Sequence, residues 1–166
     1  MSWVGSWPWP TQRTEAAFAI GGVTLFLSNA KTLVNLLLCG LLERFPKLKF
    51  VSVESGVGWI PFVLEATDYQ AEGASSHSTS HLSMKPSEYF KRQIYACFWF
   101  ERKNFANDLR SLGIDNVMFE SDFPHPACLH PNPIEYAKVA LDGLTIAEQR
   151  KVLSGNAAKL YNIPII

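Results

Sequence analysis

The sequence predicts an α/β domain on parallel strands, and three observations predict it. Segments with helical apolar spacing alternate with short runs rich in β-branched and aromatic residues. The connections between those runs are long enough to hold a helix, which parallel neighbours joined by right-handed crossovers require. Two carboxylates, Glu54 and Asp122, stand where two of the runs end, the place where α/β folds gather chemistry.

Each element has a local cause. Ser28 or Asn29 is suited to cap a helix whose Leu33, Leu36, Leu37, Cys39, Gly40 and Leu41 cover one broad face, and Pro46 stops it. Lys49 to Val53 reads as a strand ending at Glu54. Pro61 suits the first turn of a helix reaching about Gln70. Glu72 to Ser83 has no apolar period and is expected as an exposed, mobile loop. Pro86 to Lys91 starts a short helix, and Gln93 to Phe100 reads as a strand buried on both faces. Arg102 to Leu112 is helical, closed by Gly113. Asn116 to Ser121 is the third strand. Asn132 to Leu141 and Thr145 to Leu153 are helices, the second opened by a Thr145/Glu148 capping box.

Upstream, the apolar stretches Ala16 to Leu27 and Leu33 to Leu42 are parted by Ser28 to Thr32. Each is shorter than the ~20 residues that a membrane-spanning helix needs. Both are expected as buried core elements, with Ile20 to Phe26 as a further strand.

Composition narrows the function classes. The 166 residues fit a single domain spanning 1–166, and 48% hydrophobic against 18% charged residues favours a packed core over disorder. Fifteen Lys+Arg balance fifteen Asp+Glu, so nothing electrostatic points to nucleic acid or an anionic membrane. Cys39, Cys97 and Cys128 form no CxxC and cannot all pair, which suits a reducing, cytoplasmic compartment. The N-terminus lacks a basic region and is broken by prolines, so no signal peptide is expected.

Asp122 follows a hydrophobic strand and precedes a stiff Phe-Pro-His-Pro turn. A carboxylate there can bind a metal, orient a water or accept a proton, or it can cap the turn. Glu54 can act beside a metal or as a proton carrier, or accept N–H groups from the glycine turn that follows; the latter is slightly favoured. His125, three residues past Asp122, is expected to face the same cleft. His77 and His81 have i, i+4 spacing in a poor helix-forming context and read as loop histidines, as does His130. Ser55 lacks a nucleophile elbow, and Cys97 lies in an apolar strand and is expected to be inert. Trp3, Trp7 and Trp9 can stack on a ligand or cover an apolar face.

Four segments in order carry a resemblance: Gly40 to Phe50, Glu54 to Pro61, Glu120 to Pro126, and Gly155 to Tyr161. Together they resemble the C-terminal half of the amidohydrolase-related family that includes aminocarboxymuconate-semialdehyde decarboxylase and resorcylate-type decarboxylases. The resemblance implies part of a (β/α)₈ barrel, which when whole takes roughly 250 residues. It implies a divalent metal, zinc first and manganese second, and hydrolysis or non-oxidative decarboxylation of a small carboxylated ring or amide-like substrate. Asp122 matches the family's metal-binding Asp, Glu54 stands where many members have a proton-transferring His, and His125 and Trp59 fall where substrate contacts are expected. The family's N-terminal His-x-His is missing, and Trp3 replaces a further His. The expectation is therefore a half-barrel that forms a homo-oligomer or meets a complementary half. The other reading is a degenerate, non-catalytic interaction or structural module.

Overall fold

A computed structural model describes residues 14–73, 76–102 and 105–164. Trp3, Trp7 and Trp9, and the Trp3–Ser6 match, lie outside the described residues.

Three parallel strands form the sheet: β1 (Phe50–Ser52), β2 (Ile94–Phe98) and β3 (Val117–Phe119), paired in the order β1-β2-β3. Neighbours in the sheet are thus neighbours in the chain. Right-handed crossovers between such strands place every connecting helix on one face, which is barrel winding, not the doubly wound kind. The register pairs Val51 with Tyr95 and Cys97 with Met118. The alternate residues Phe50, Ile94, Ala96, Phe98, Val117 and Phe119 join the main core.

That core is closed by helices α1 (Ala17–Leu38), α2 (Leu41–Arg44), α3 (Ile60–Glu72), α4 (Pro86–Gln93) and α5 (Phe105–Leu112). Leu37, Leu42, Ile60, Phe90 and Leu109 are among its fully buried side chains. Each contributes about 1.5–3 kcal/mol by leaving water. Helices α6 (Pro133–Ala140), α7 (Ile146–Arg150) and α8 (Asn156–Tyr161) complete the chain. A wider, π-type turn over Lys151–Gly155 links the last two, so the helix expected to end at Leu153 winds on to Tyr161.

Buried amides tie these parts together. Gln93 Nε2 donates to the carbonyls of Phe45 (2.8 Å) and Leu48 (3.1 Å) after α2. Asn116 Nδ2 reaches Lys91 O (3.0 Å) and Ile94 O (2.8 Å). Asn156 Nδ2 reaches Ile114 O (2.6 Å) and Val117 O (2.7 Å). Such bonds satisfy loop carbonyls that no strand or helix partner meets.

Two expectations are corrected. The stretch from Ala17 to Leu38 is one helix of 22 residues, not a strand followed by a separately capped helix. The Ser28 hydroxyl, expected to cap a new helix, turns inward and donates to Thr24 O (2.9 Å), as Thr24 Oγ1 does to Ile20 O (2.8 Å). Asn29 is drawn sideways, its Nδ2 donating to Ser52 Oγ (2.8 Å) and Ser55 Oγ (3.1 Å). The two apolar stretches therefore join into one helix long and apolar enough, by length and composition, to cross a membrane. Its N-terminal half is no buried core element either, since Phe18 is 83% and Leu25 61% exposed.

The loop before α4 is exposed, as expected, and its described residues run in turns. His81 Nε2 lies 2.9 Å from Leu38 O, Ser83 Oγ donates to Glu43 Oε2 (2.9 Å), and Leu82 packs on the core.

Candidate active site at the strand ends

The carboxyl ends of all three strands open on one side. There β1 runs into Val53 and Glu54, β2 into Trp99, Phe100 and Glu101, and β3 into Glu120, Ser121 and Asp122. Glu54 (φ 56°) and Asp122 (φ 57°) both take the left-handed backbone conformation that only glycine adopts freely. Two strained carboxylate positions at two strand mouths mark the region where the fold tolerates local cost.

Asp122 Oδ2 lies 3.3 Å from His125 Nδ1, the carboxylate largely buried and the imidazole half exposed. The backbone enforces the pairing, for His125 N donates to Asp122 O at 2.8 Å. Ala127 N–H also points at His125 Nδ1, at 3.3 Å. A protonated Nδ1 donates to Asp122; a bare Nδ1 accepts from Ala127.

Glu120 was not singled out in the sequence, and its side chain links two of the strand exits. Its Oε1 accepts the backbone N–H of Glu54 at 2.7 Å, so one side chain from β3 bridges over β2 to the exit of β1. Burial, with the negative charges of Glu54 and Asp122 added, pushes the Glu120 carboxyl up to about 7, while the Glu54 N–H works the other way. Burial likewise pushes the Cys97 thiol up to about 12, with Glu120 beside it. A buried thiol so raised disfavours the thiolate that a nucleophile needs.

The structural role considered for Glu54 belongs to Glu101. Glu101 Oε1 accepts from Val57 N and Gly58 N, and its Oε2 accepts from Trp99 N at 3.2 Å. Glu54 is left to line the cleft. Trp59 is half-buried, and its indole N–H donates to Ser55 O at 2.9 Å, holding the same turn from its other side.

Between the strand ends and the N-terminal half of α1 lies a cleft of about 300 Å³. It is lined by Glu54, Asp122, His125 and Trp99, with Phe18, Gly21, Gly22, Leu25 and Phe26 facing them from α1. Glu54, Asp122 and His125 are thus brought together; Trp59 is not among the lining residues. Trp99 escaped the sequence reading because it lies in an apolar run, although its place just past a strand end is the signal that singled out Glu54 and Asp122.

A family model described as amidohydrolase matches residues 15–163. This chain belongs to the amidohydrolase family.

Solved structures agree with that assignment. A 5-carboxyvanillate decarboxylase from Sphingomonas paucimobilis is 27% identical with TM-score 0.70, over 84% of this chain and 41% of that one. An amidohydrolase from Mycobacterium avium subsp. paratuberculosis K-10 matches with TM-score 0.73 at 21% identity, over 90% of this chain and 36% of that one. A dihydroxybenzoic acid decarboxylase from Polaromonas sp. JS666, solved with manganese and 2-nitroresorcinol, gives TM-score 0.68 at 17% identity, over 94% of this chain and 48% of its own. The last two support the fold alone. No curated protein matches. The chain spans 36–48% of the length of these three structures, and its three strands are part of a TIM barrel.

Members of this family bind a divalent metal. Among the described residues no group of three or more His, Cys, Asp or Glu side chains is placed to hold an ion. Zinc takes three or four protein ligands, so the described residues do not by themselves fit a metal centre.

Proposed function

We propose that this chain supplies the Asp122 side of the reaction centre of an amidohydrolase-type enzyme that hydrolyses or decarboxylates a small carboxylated ring or amide-like molecule. The observation that carries this reading is the Asp122–His125 pair in a cleft at the strand ends, 3.3 Å apart and fixed by the backbone of one turn. Asp122 is the metal-ligating residue this chain brings, with zinc or manganese as the ion. The 27% identical neighbour, whose name gives it a decarboxylase activity, favours the carboxylated ring. Glu54 is assigned to proton transfer beside Asp122, and His125 to contact with substrate; Trp59, outside the cleft, is not assigned one.

The remaining ligands then come from polypeptide beyond the described residues. A second copy of this chain or a complementary half-barrel supplies it. The sheet, open at β1 and β3 among the described residues, supports this. The three free cysteines support a reducing, cytoplasmic compartment. Metal analysis of the purified chain, alone and as Asp122→Asn, tests the proposal. Stoichiometric metal that the variant loses is the result expected where a second copy of this chain completes the site. A chain without metal in any oligomeric state overturns the second copy as the ligand source and favours the non-catalytic module, the reading supported by the incomplete ligand set among the described residues.

A further inference from the structure

Gly22 stands inside α1, and a Cβ built on it would meet nothing within 4 Å. Glycine is among the poorest helix formers, and here neither a positive φ nor a crowded neighbour calls for one. The space that the missing side chain leaves has a direction. Phe18 lies four residues before Gly22, Leu25 three after and Phe26 four after, and all of them line the cleft. Residues at these spacings share one face of a helix. The Cβ that Gly22 lacks would therefore project into the cleft.

The two phenylalanines flank this gap, one turn of helix to either side. Phe26 is held in place, its ring stacked on Phe100 with centroids 5.3 Å apart and edge-on to Trp99 at 5.9 Å. Phe18, at the other end, is exposed. The helix rises about 12 Å from one to the other, which leaves a floor of bare backbone with room for one aromatic ring. Facing that floor stand Glu54 and Asp122, whose carboxylates accept O–H and N–H donors. An apolar wall with a ring-sized gap, opposite two acceptors, suits a flat ring that carries hydroxyl groups.

We propose that Gly22 is a specificity-determining residue of this cleft: the gap it leaves seats an aromatic ring of the bound molecule between Phe18 and Phe26, with ring hydroxyls turned to Glu54 and Asp122. The inference rests on the reading of this cleft as the reaction site, and not on metal being present. It deepens that reading by naming the wall that the substrate's ring faces. Any side chain at this position fills the seat, so the position selects ligands by size, through steric exclusion.

The test titrates the full chain with resorcinol, a flat ring with two O–H donors and no charge at neutral pH. Its binding needs no metal to offset a carboxylate. Gly22→Ala and Gly22→Leu are both expected to melt about 2–4 °C above the parent chain, because each improves helix propensity at an open position. Gly22→Leu is expected to weaken resorcinol by about tenfold or more. Val23→Leu, which adds bulk one residue along but outside the cleft lining, is expected to leave that affinity unchanged. A parent chain that does not bind resorcinol, equal affinity in Gly22→Leu, or an equal loss in Val23→Leu overturns the inference. So does a lower melting temperature in Gly22→Ala, since the glycine would then serve the packing of the helix. Should Gly22→Leu not fold, Gly22→Ala is read in its place, with a weakening of about threefold expected and unchanged affinity overturning the inference. Metal content is measured separately. A chain that holds no metal yet shows this pattern keeps the inference and loses the metal reading; one that holds metal and binds resorcinol equally well as Gly22→Leu loses the inference alone.

Discussion

The backbone N–H of Glu54 donates to Glu120 Oε1 at 2.7 Å, joining the exits of two strands that are not neighbours in the sheet. Replacing Glu120 with Ala removes that bond at an exposed donor that water can reach, and is expected to cost less than about 1 kcal/mol in urea denaturation. Glu120→Gln keeps an oxygen acceptor and removes a half-buried charge flanked by Glu54 and Asp122. At pH 8 it is expected to be at least as stable as the parent chain.

Gly56 has φ +66°, and a Cβ built on it would stand 2.3 Å from Glu101 Oε1. Gly56→Ala therefore meets both backbone strain and the carboxylate that holds the turn. A loss of about 2 kcal/mol or more in thermal or chemical denaturation is expected. Gly58 has open space around the same construction. Gly58→Ala is expected to change stability by less than about 1 kcal/mol, which separates the two glycines by experiment.

Asn156 is 5% exposed and meets two carbonyls at the base of β3. Asn156→Ala strands both acceptors away from water. The expected destabilisation is about 2–3 kcal/mol, read as a lower denaturation midpoint with an unchanged slope.

Glu148 is held down at about 2, against a usual 4.5, first by Arg110 and then by the Thr145 N–H and hydroxyl. A carboxyl depressed in the folded chain stabilises it above its unfolded pKa, and that contribution fades as pH falls through 4.5 towards 2. The melting temperature of Glu148→Gln is therefore expected below that of the parent at pH 7, with the gap closing by about pH 2. A constant gap across that window would contradict the assignment.

What the sequence disclosed followed local chemistry. The Thr145/Glu148 box forms as spaced, with Glu148 N donating to Thr145 Oγ1 at 3.2 Å and Thr145 N to Glu148 Oε2 at 2.8 Å. Gly113 closes α5 with φ +102° and a bond to Leu109 O. The three strands and their parallel sense followed from apolar runs and connection length. What stayed hidden depended on distant partners. Ser28 read as a break because a hydroxyl can cap a helix or bond back within one, and spacing does not say which. Glu101, 43 and 44 residues from the turn it holds, carries no local signature of that task. The same is true of Glu120, whose role exists only once β1 and β3 flank β2.

The Glu101 clasp has a consequence for the order of assembly. Val57 and Gly58 find their acceptor on the segment that leaves the second strand, so the bend after the first strand stays undetermined until the second has docked. Successive βα units in this chain are accordingly not self-sufficient modules. Cutting the polypeptide between α3 and α4 would leave a front piece whose turn has lost its anchor, and such a piece should gain protease resistance only when the back piece is added in trans.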